Sequence, residues 1–274
     1  MLRYSAALFL AGLLWATGAR AGDVYVSVPW KDEQIQIRAR LFHPAGPGPF
    51  PGVILLHTCD GLTGYNGGGP IAFYISMLVQ QGYAVAAPDS FTARHVVEDC
   101  NIGAVKPLDR EHDVFAVAEF MATRPDIKAS KIGIVGWSHG ATSAVYIGRD
   151  WPQERPLRES LAAKGAKIAA SVGLYGENCG DAEKAAVVTP LLSLLGGPDN
   201  TRNDVCQALA AQSNGLMQVH IYENDFHAFD IPISGPDPTR PFSPRGVRVI
   251  IGYDPVATQD SHARVLAFFA EHLK

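Results

Sequence analysis

The pentapeptide Gly136-Trp137-Ser138-His139-Gly140 constrains the fold of this chain more than any other stretch. It follows Lys131-Ile-Gly-Ile-Val135, a short β-branched run that reads as a buried strand. It precedes Ala141-Thr-Ser-Ala-Val-Tyr-Ile147, which reads as a helix. Strand, G-x-S-x-G and helix in succession form the pattern of a nucleophile elbow. A serine at the tip of so tight a turn has a strained backbone. The residues two before and two after it lie against neighbouring backbone, where a side chain would clash, hence the two glycines. The helix that starts there directs its first N–H groups and its positive dipole end at the Ser138 oxygen. The plain alternative is a glycine-bounded strand–helix turn with an ordinary serine.

What lies downstream separates the two readings. A serine is a weak nucleophile until a base takes its proton, and a third group must hold that base in the right tautomer. In an α/β sheet these groups come from loops after later strands, in the order serine, acid, histidine. Pro190–Leu195 reads as a strand and is followed by Gly196-Gly-Pro-Asp199-Asn200. Met217–Tyr222 reads as another and is followed by Glu223-Asn-Asp-Phe-His227. The expected roles are Ser138 as nucleophile, His227 as base and Asp199 as the acid that orients it. Glu177, after the preceding strand, is the rival acid, and Asp199 could instead be a turn aspartate bonded to its own backbone. Asp225 stands too near His227 in sequence for that work.

The oxyanion formed on attack needs preorganised N–H donors. The backbone of His139 is expected to be one. Cys59, with Thr58 as the alternative, is expected to supply the other from His57-Thr-Cys-Asp-Gly61. The His139 side chain should point away from Ser138, and His57 should brace its loop. Tyr65, Phe91, Arg94 and Trp137 are candidates to line the substrate pocket, with plain packing the competing role for each. His95, His112, His220, His262 and His272 carry no spacing signal. Gly64–Pro70 is glycine-rich but lacks the phosphate-loop pattern, so it reads as a lip beside the cleft. The cysteines lack C-x-x-C spacing and give no zinc signature, so no metal is expected.

The rest of the chain alternates strand and helix. Asp23–Val28 and Gln34–Phe42 alternate in polarity around a turn and read as an antiparallel edge pair. Gly52–His57 is continuously apolar, as a strand covered on both faces should be. Ile71–Gln81, Arg110–Met121 and Gln259–Leu273 read as helices; Tyr83–Ala87 and Ile168–Val172 read as strands. Such alternation predicts a mostly parallel, doubly wound α/β sheet with helices on both faces. No repeat or linker divides residues 22–274, which read as one domain. Residues 232–252 are rich in proline and arginine, and read as a surface loop or an excursion over the active-site edge.

Residues 1–21 stand apart. Arg3, the apolar run Ala6–Trp15 and the small residues of Ala19-Arg-Ala21 make a secretory signal peptide, with cleavage expected after Ala21. The apolar run is too short to span a bilayer comfortably, and no later stretch is long enough, so no membrane span is expected after cleavage. Losing Arg3 and Arg20 takes the formal charge from −4 to −6, which leaves no basic stripe for nucleic acid. Four cysteines in an exported chain suggest two disulfides among three possible pairings. Cys59–Cys100 with Cys179–Cys206 is preferred, since each pair would tie loops on one edge of the sheet. Free thiols are the alternative, or Cys59 as a nucleophile, though it lacks the strand–elbow–helix setting.

Together the motifs resemble the dienelactone hydrolase family of α/β-hydrolases. The resemblance is carried by Leu55-Leu-His-Thr-Cys-Asp-Gly61, Pro88-Asp-Ser-Phe91, Gly136–Gly140, Leu194-Leu-Gly-Gly-Pro-Asp199, Phe226-His-Ala-Phe229 and the closing helix from Tyr253. It implies an α/β-hydrolase fold, a catalytic triad and no cofactor. The family's namesake enzymes carry cysteine in the elbow, where this chain carries Ser138. They are typically cytoplasmic and hold an anionic lactone with arginines; here only scattered ones such as Arg94 and Arg202 could do so. The expectation is an exported serine hydrolase of small carboxylic esters or lactones, acting through an acyl-enzyme. A peptidase, a carbohydrate deacetylase or a non-catalytic binding protein on the same scaffold are the alternatives.

Overall fold

A computed structural model describes residues 20–62, 70–176, 179–180, 184–199, 203–232, 241–242 and 249–274. The expected signal peptide through residue 19, Tyr65 with its glycine-rich lip, Glu177 and Arg202 lie outside these residues, as does most of 232–252.

Eight strands form one sheet: β1 (Arg20–Trp30), β2 (Glu33–His43), β3 (Phe50–Leu56), β4 (Ala84–Pro88), β5 (Ile127–Trp137), β6 (Ile168–Leu174), β7 (Leu191–Gly196) and β8 (Met217–Tyr222). Their order across the sheet is β1-β2-β4-β3-β5-β6-β7-β8. The β1–β2 and β2–β4 pairings are antiparallel, and all others are parallel. The expected edge pair is therefore present, and β1 starts early enough to include Arg20 and Ala21, opposite His43 and Phe42.

Strand β3 shows why the sheet needs two covering layers. Val53 and Leu55 face one layer, with α1 (Ile71–Gln80) and α6 (Pro255–Leu273) packed over them. Ile54 and Leu56 face the other, beneath α2 (Pro107–Ala122), α3 (His139–Ile147) and α4 (Arg155–Ala163). Alternate side chains point to opposite faces, so a strand buried on both sides must be apolar throughout. A smaller cluster joins β7 and β8 to α5 (Asn203–Gln212) through Leu191, Leu195, Met217, Cys206 and Leu209.

Helices α4 and α5 add to the elements read from sequence, and α2 starts three residues earlier than expected, with Pro107 in its first turn. Two short strands, β9 (Pro241–Phe242) and β10 (Val249–Ile250), pair with each other. The next residue, Ile251, bridges to His227. The described end of the 232–252 connection thus returns beside a candidate site residue. Among the described residues, no helix is long and apolar enough to cross a membrane.

Both disulfides have the preferred pairing, Cys59–Cys100 and Cys179–Cys206. The first ties the loop after β3 to the loop after β4.

Candidate active site

Ser138 lies at the junction of β5 and α3 with φ 50° and ψ −114°. A methyl group added to Gly136 would overlap the carbonyl of Gly140, and one added to Gly140 would overlap the carbonyl oxygen of Leu56. Both glycines are needed for the close approach, because β3, β5 and α3 converge here. The elbow is anchored by Ser138 N–H donating to Leu174 O at 3.0 Å.

Asp199 follows β7 and His227 follows β8, so both loops open on the carboxyl edge where the elbow stands. The Asn203 side-chain amide donates to Gly196 O at 3.1 Å and Gly197 O at 3.3 Å, which shapes the turn before Asp199. The His227 backbone is held from both sides. Its N–H donates to Ile250 O at 3.0 Å, and its carbonyl accepts from Gly252 N–H at 3.1 Å.

The side chains meet. His227 Nδ1 lies 2.8 Å from Asp199 Oδ2, and Nε2 lies 2.9 Å from Ser138 Oγ. An ionised carboxylate only accepts, so Nδ1 carries the proton and Nε2 is left to accept from the Ser138 hydroxyl. Such a line can pass a proton from serine to imidazole while the carboxylate steadies the resulting charge.

The other histidines near the elbow are committed elsewhere. Arg110 Nη1 donates to His139 Nδ1 at 2.9 Å, and His139 Nε2–H donates to Val105 O at 3.1 Å. The imidazole is turned into the fold, while its backbone opens α3. His57 Nδ1–H donates to Thr58 O at 2.7 Å, and Ser90 N–H donates to His57 Nε2 at 3.2 Å. Burial, reinforced by the Arg110 charge, holds the His57 pKa well below its ordinary value. His57 is a brace, as its place in the loop suggested. Cys59 sits in that loop, with its carbonyl accepting from Asp99 N–H at 2.7 Å.

Three candidates for the pocket wall are interior residues. Arg94 lies beneath α2, its guanidinium forked on Asp113 at 2.7 and 2.9 Å and its Nη1 also donating to Ser90 O. Its side chain is shielded and paired within the fold. Phe91 is buried edge-on against His57, ring centroids 4.5 Å apart. Trp137 is fully buried, with its Nε1–H donating to Asp230 Oδ2 at 3.1 Å. Sequence position alone carries no information on which side of the backbone faces inward.

Sequence reasoning missed Asp230 and Tyr175. Tyr175 follows β6 at φ 42°, and its hydroxyl donates to Asp230 Oδ1 at 2.6 Å. Its ring meets the His227 imidazole edge-on with centroids 4.8 Å apart. Among the described residues, no cluster of His, Cys, Asp or Glu is arranged to hold a metal ion.

A family model described as "Dienelactone hydrolase family" matches residues 37–273. Among solved structures, the dienelactone hydrolase-like promiscuous phosphotriesterase P91 from metagenomic libraries superposes with a TM-score of 0.62 at 18% identity, covering 93% of this chain and 99% of that one. A ferulic acid esterase from Streptomyces cinnamoneus gives a TM-score of 0.63 at 17% identity, covering 93% and 90%. At these identities the likeness shows the α/β-hydrolase fold. Among curated proteins, acyl-coenzyme A amino acid N-acyltransferase 2 of Mus musculus is 36% identical over 115 residues. That match takes in 40% of this chain and only 24% of the mouse protein. The family model runs from Ile37 in β2 to Leu273 at the end of α6, through every loop that carries the site, and the chain therefore belongs to the dienelactone hydrolase family of α/β-hydrolases.

Proposed function

We propose that this protein is an exported serine hydrolase that cleaves small carboxylic esters or lactones through an acyl-enzyme on Ser138. The observation that carries the reading is the continuous hydrogen-bonded line from Ser138 Oγ through His227 to Asp199, at 2.9 and 2.8 Å. Ser138 Oγ attacks the carbonyl carbon while His227 Nε2 takes its proton. Asp199 holds the imidazolium as the oxyanion forms. The backbone N–H groups of His139 and Cys59 are the proposed oxyanion donors, the first opening a helix and the second in the loop packed against the elbow. His227 then gives its proton to the leaving alkoxide, and water repeats the sequence to release the acid. Serine in place of the family's cysteine suits this scheme, because serine depends on a positioned base and one is within hydrogen-bond reach. The two disulfides and the signal-like first 21 residues support an oxidising compartment outside the cytoplasm.

The test is turnover of short-chain p-nitrophenyl esters and simple lactones, with a fluorophosphonate adduct mapped by mass spectrometry. Ser138→Ala should abolish both turnover and labelling, with a loss of at least about 10³-fold in kcat. Undiminished hydrolysis by Ser138→Ala, or an adduct on another residue, would remove the proposal.

A further inference from the structure

Asp230 is a buried carboxylate that the reaction above does not use. A carboxylate in a core is costly unless donors meet it. Here they come from the ends of two strands flanking the site: Tyr175 Oη–H at 2.6 Å and Trp137 Nε1–H at 3.1 Å. Trp137 is the residue immediately before Ser138. Tyr175 packs its ring edge-on with the His227 imidazole. Asp230 itself is three residues past His227, on the turn that includes Ala228 at φ 59°. One carboxylate therefore ties the nucleophile strand, the residue packed on the histidine and the histidine's own loop. Phenylalanines could fill the same volume, so the polar atoms are the informative part.

We propose that Asp230 is a positioning residue for the hydrolytic reaction: through Tyr175 and Trp137 it fixes the His227 ring beside Ser138, and its charge steadies the imidazolium. This rests on reading Ser138 and His227 as the reacting pair. The groups facing Asp230 are Tyr175 from the end of β6, Trp137 from β5, Tyr74 from α1 and His227 from its own loop. Asp60, from the loop after β3, faces Tyr175, and Asp199 holds the far side of His227. Burial pushes the Asp230 pKa up to about 6, against the pull of the Tyr175 and Trp137 hydrogen bonds and of a charged His227. Coupling is reciprocal: a charged Asp230 raises the proton affinity of His227 as a charged His227 lowers that of Asp230. Removing the carboxylate should therefore make His227 easier to deprotonate when free, and leave its cation less stable during the reaction.

The experiment is an NMR pH titration of the His227 ring nitrogens in wild type, Asp230→Asn and Tyr175→Phe, beside pH profiles of kcat/KM on a p-nitrophenyl ester. In Asp230→Asn the His227 midpoint and the acidic limb should fall by about one pH unit, roughly tenfold in proton affinity. Its kcat should fall about tenfold with KM little changed. Tyr175→Phe lets Asp230 hold its proton to higher pH, so it should shift His227 in the same direction by less. Unmoved midpoints in both variants, with any lost activity tracking the folded fraction, overturn the proposal. Should Asp230→Asn not fold, Tyr175→Phe alone decides by the same criterion. The titration needs no turnover. A shifted midpoint in a protein that hydrolyses nothing leaves the coupling standing and removes the esterase reading, whereas hydrolysis with unmoved midpoints does the reverse.

Discussion

Ser138 is held in a backbone conformation that costs on the order of 1–3 kcal/mol, and its neighbours must impose it. Gly140 is where that imposition is most exposed to test. In Gly140→Ala the new methyl meets the Leu56 carbonyl oxygen, and forced overpacking of this kind costs about 1–3 kcal/mol. The elbow should open, the Tm should fall, and fluorophosphonate labelling of Ser138 should slow by at least about tenfold. Labelling at the wild-type rate would mean that the close approach is not what holds the serine. Arg94 gives a complementary prediction. Its side chain and that of Asp113 are fully shielded, and breaking a buried pair costs about 3–5 kcal/mol. Arg94→Ala should therefore be strongly destabilised in urea titration, while the KM of its folded fraction stays unchanged. At this scale the sequence was legible where sterics are local: the elbow glycines, and an aspartate and a histidine each just past a strand. It was not legible for Asp230 and Tyr175, whose contact arises only when the ends of separate strands meet. Nor was it for Arg94, since a loop residue's facing is set by what folds over it.

The elements were read best where an apolar period was strong. The buried strands and α6 follow from such runs. Helix α4 was not read, because its apolar face is only Leu161, buried, and Leu157, half-buried against the same cluster, and two contacts make too short a period to stand out. In α2 the apolar stripe of Val114, Ala118 and Met121 was legible, but Arg110, Glu111 and Asp113 are buried beside it. Charged residues read as a solvated face unless their partners are known, and the partners of these come from other elements. The disulfides act at this scale too. Cys59–Cys100 spans 41 residues and Cys179–Cys206 spans 27, so loop closure alone offers about 4 and about 3.5 kcal/mol. The paired variants Cys59→Ser/Cys100→Ser and Cys179→Ser/Cys206→Ser should lose comparable stability in urea. Only the first should also lower kcat, because Cys59 lies in the loop against the elbow and Asp99 N–H is bonded to its carbonyl. Equal kcat in the two variants would place the first crosslink outside the catalytic apparatus.

For the whole molecule, alternation predicts a wound, mostly parallel sheet, yet no residue pattern states that β4 lies between β2 and β3. That order comes from which crossovers can cover both faces at once. Covering them also encloses charge, and this gives the folded state a pH dependence of its own. Glu111 on α2 and Glu154 at the start of α4 are both buried and face one another, with Arg158 Nη2 2.9 Å from Glu154. Burial raises both pKa values, and for Glu154 the nearby Glu111 charge raises it further. In the unfolded chain both ionise near the ordinary glutamate value of about 4.3. Below that value the two states bind the same protons, and the pair's contribution to stability is complete. As pH climbs, the unfolded chain releases protons that the folded pair retains, so stability is lost until the folded pair itself ionises. Each proton retained costs about 1.4 kcal/mol per pH unit over that span. Glu111→Gln replaces one titrating group with an amide whose oxygen can accept from protonated Glu154, as the Glu111 carboxylate does. Urea unfolding at pH 5 and pH 8 should show wild type and variant close together at the lower pH. At the higher pH the variant should be more stable by about 1–2 kcal/mol, since its fixed amide makes no demand for a proton. The difference between the two proteins cancels the titrations they share. A gap that is the same at both pH values would therefore assign Glu111 no part in the pH response.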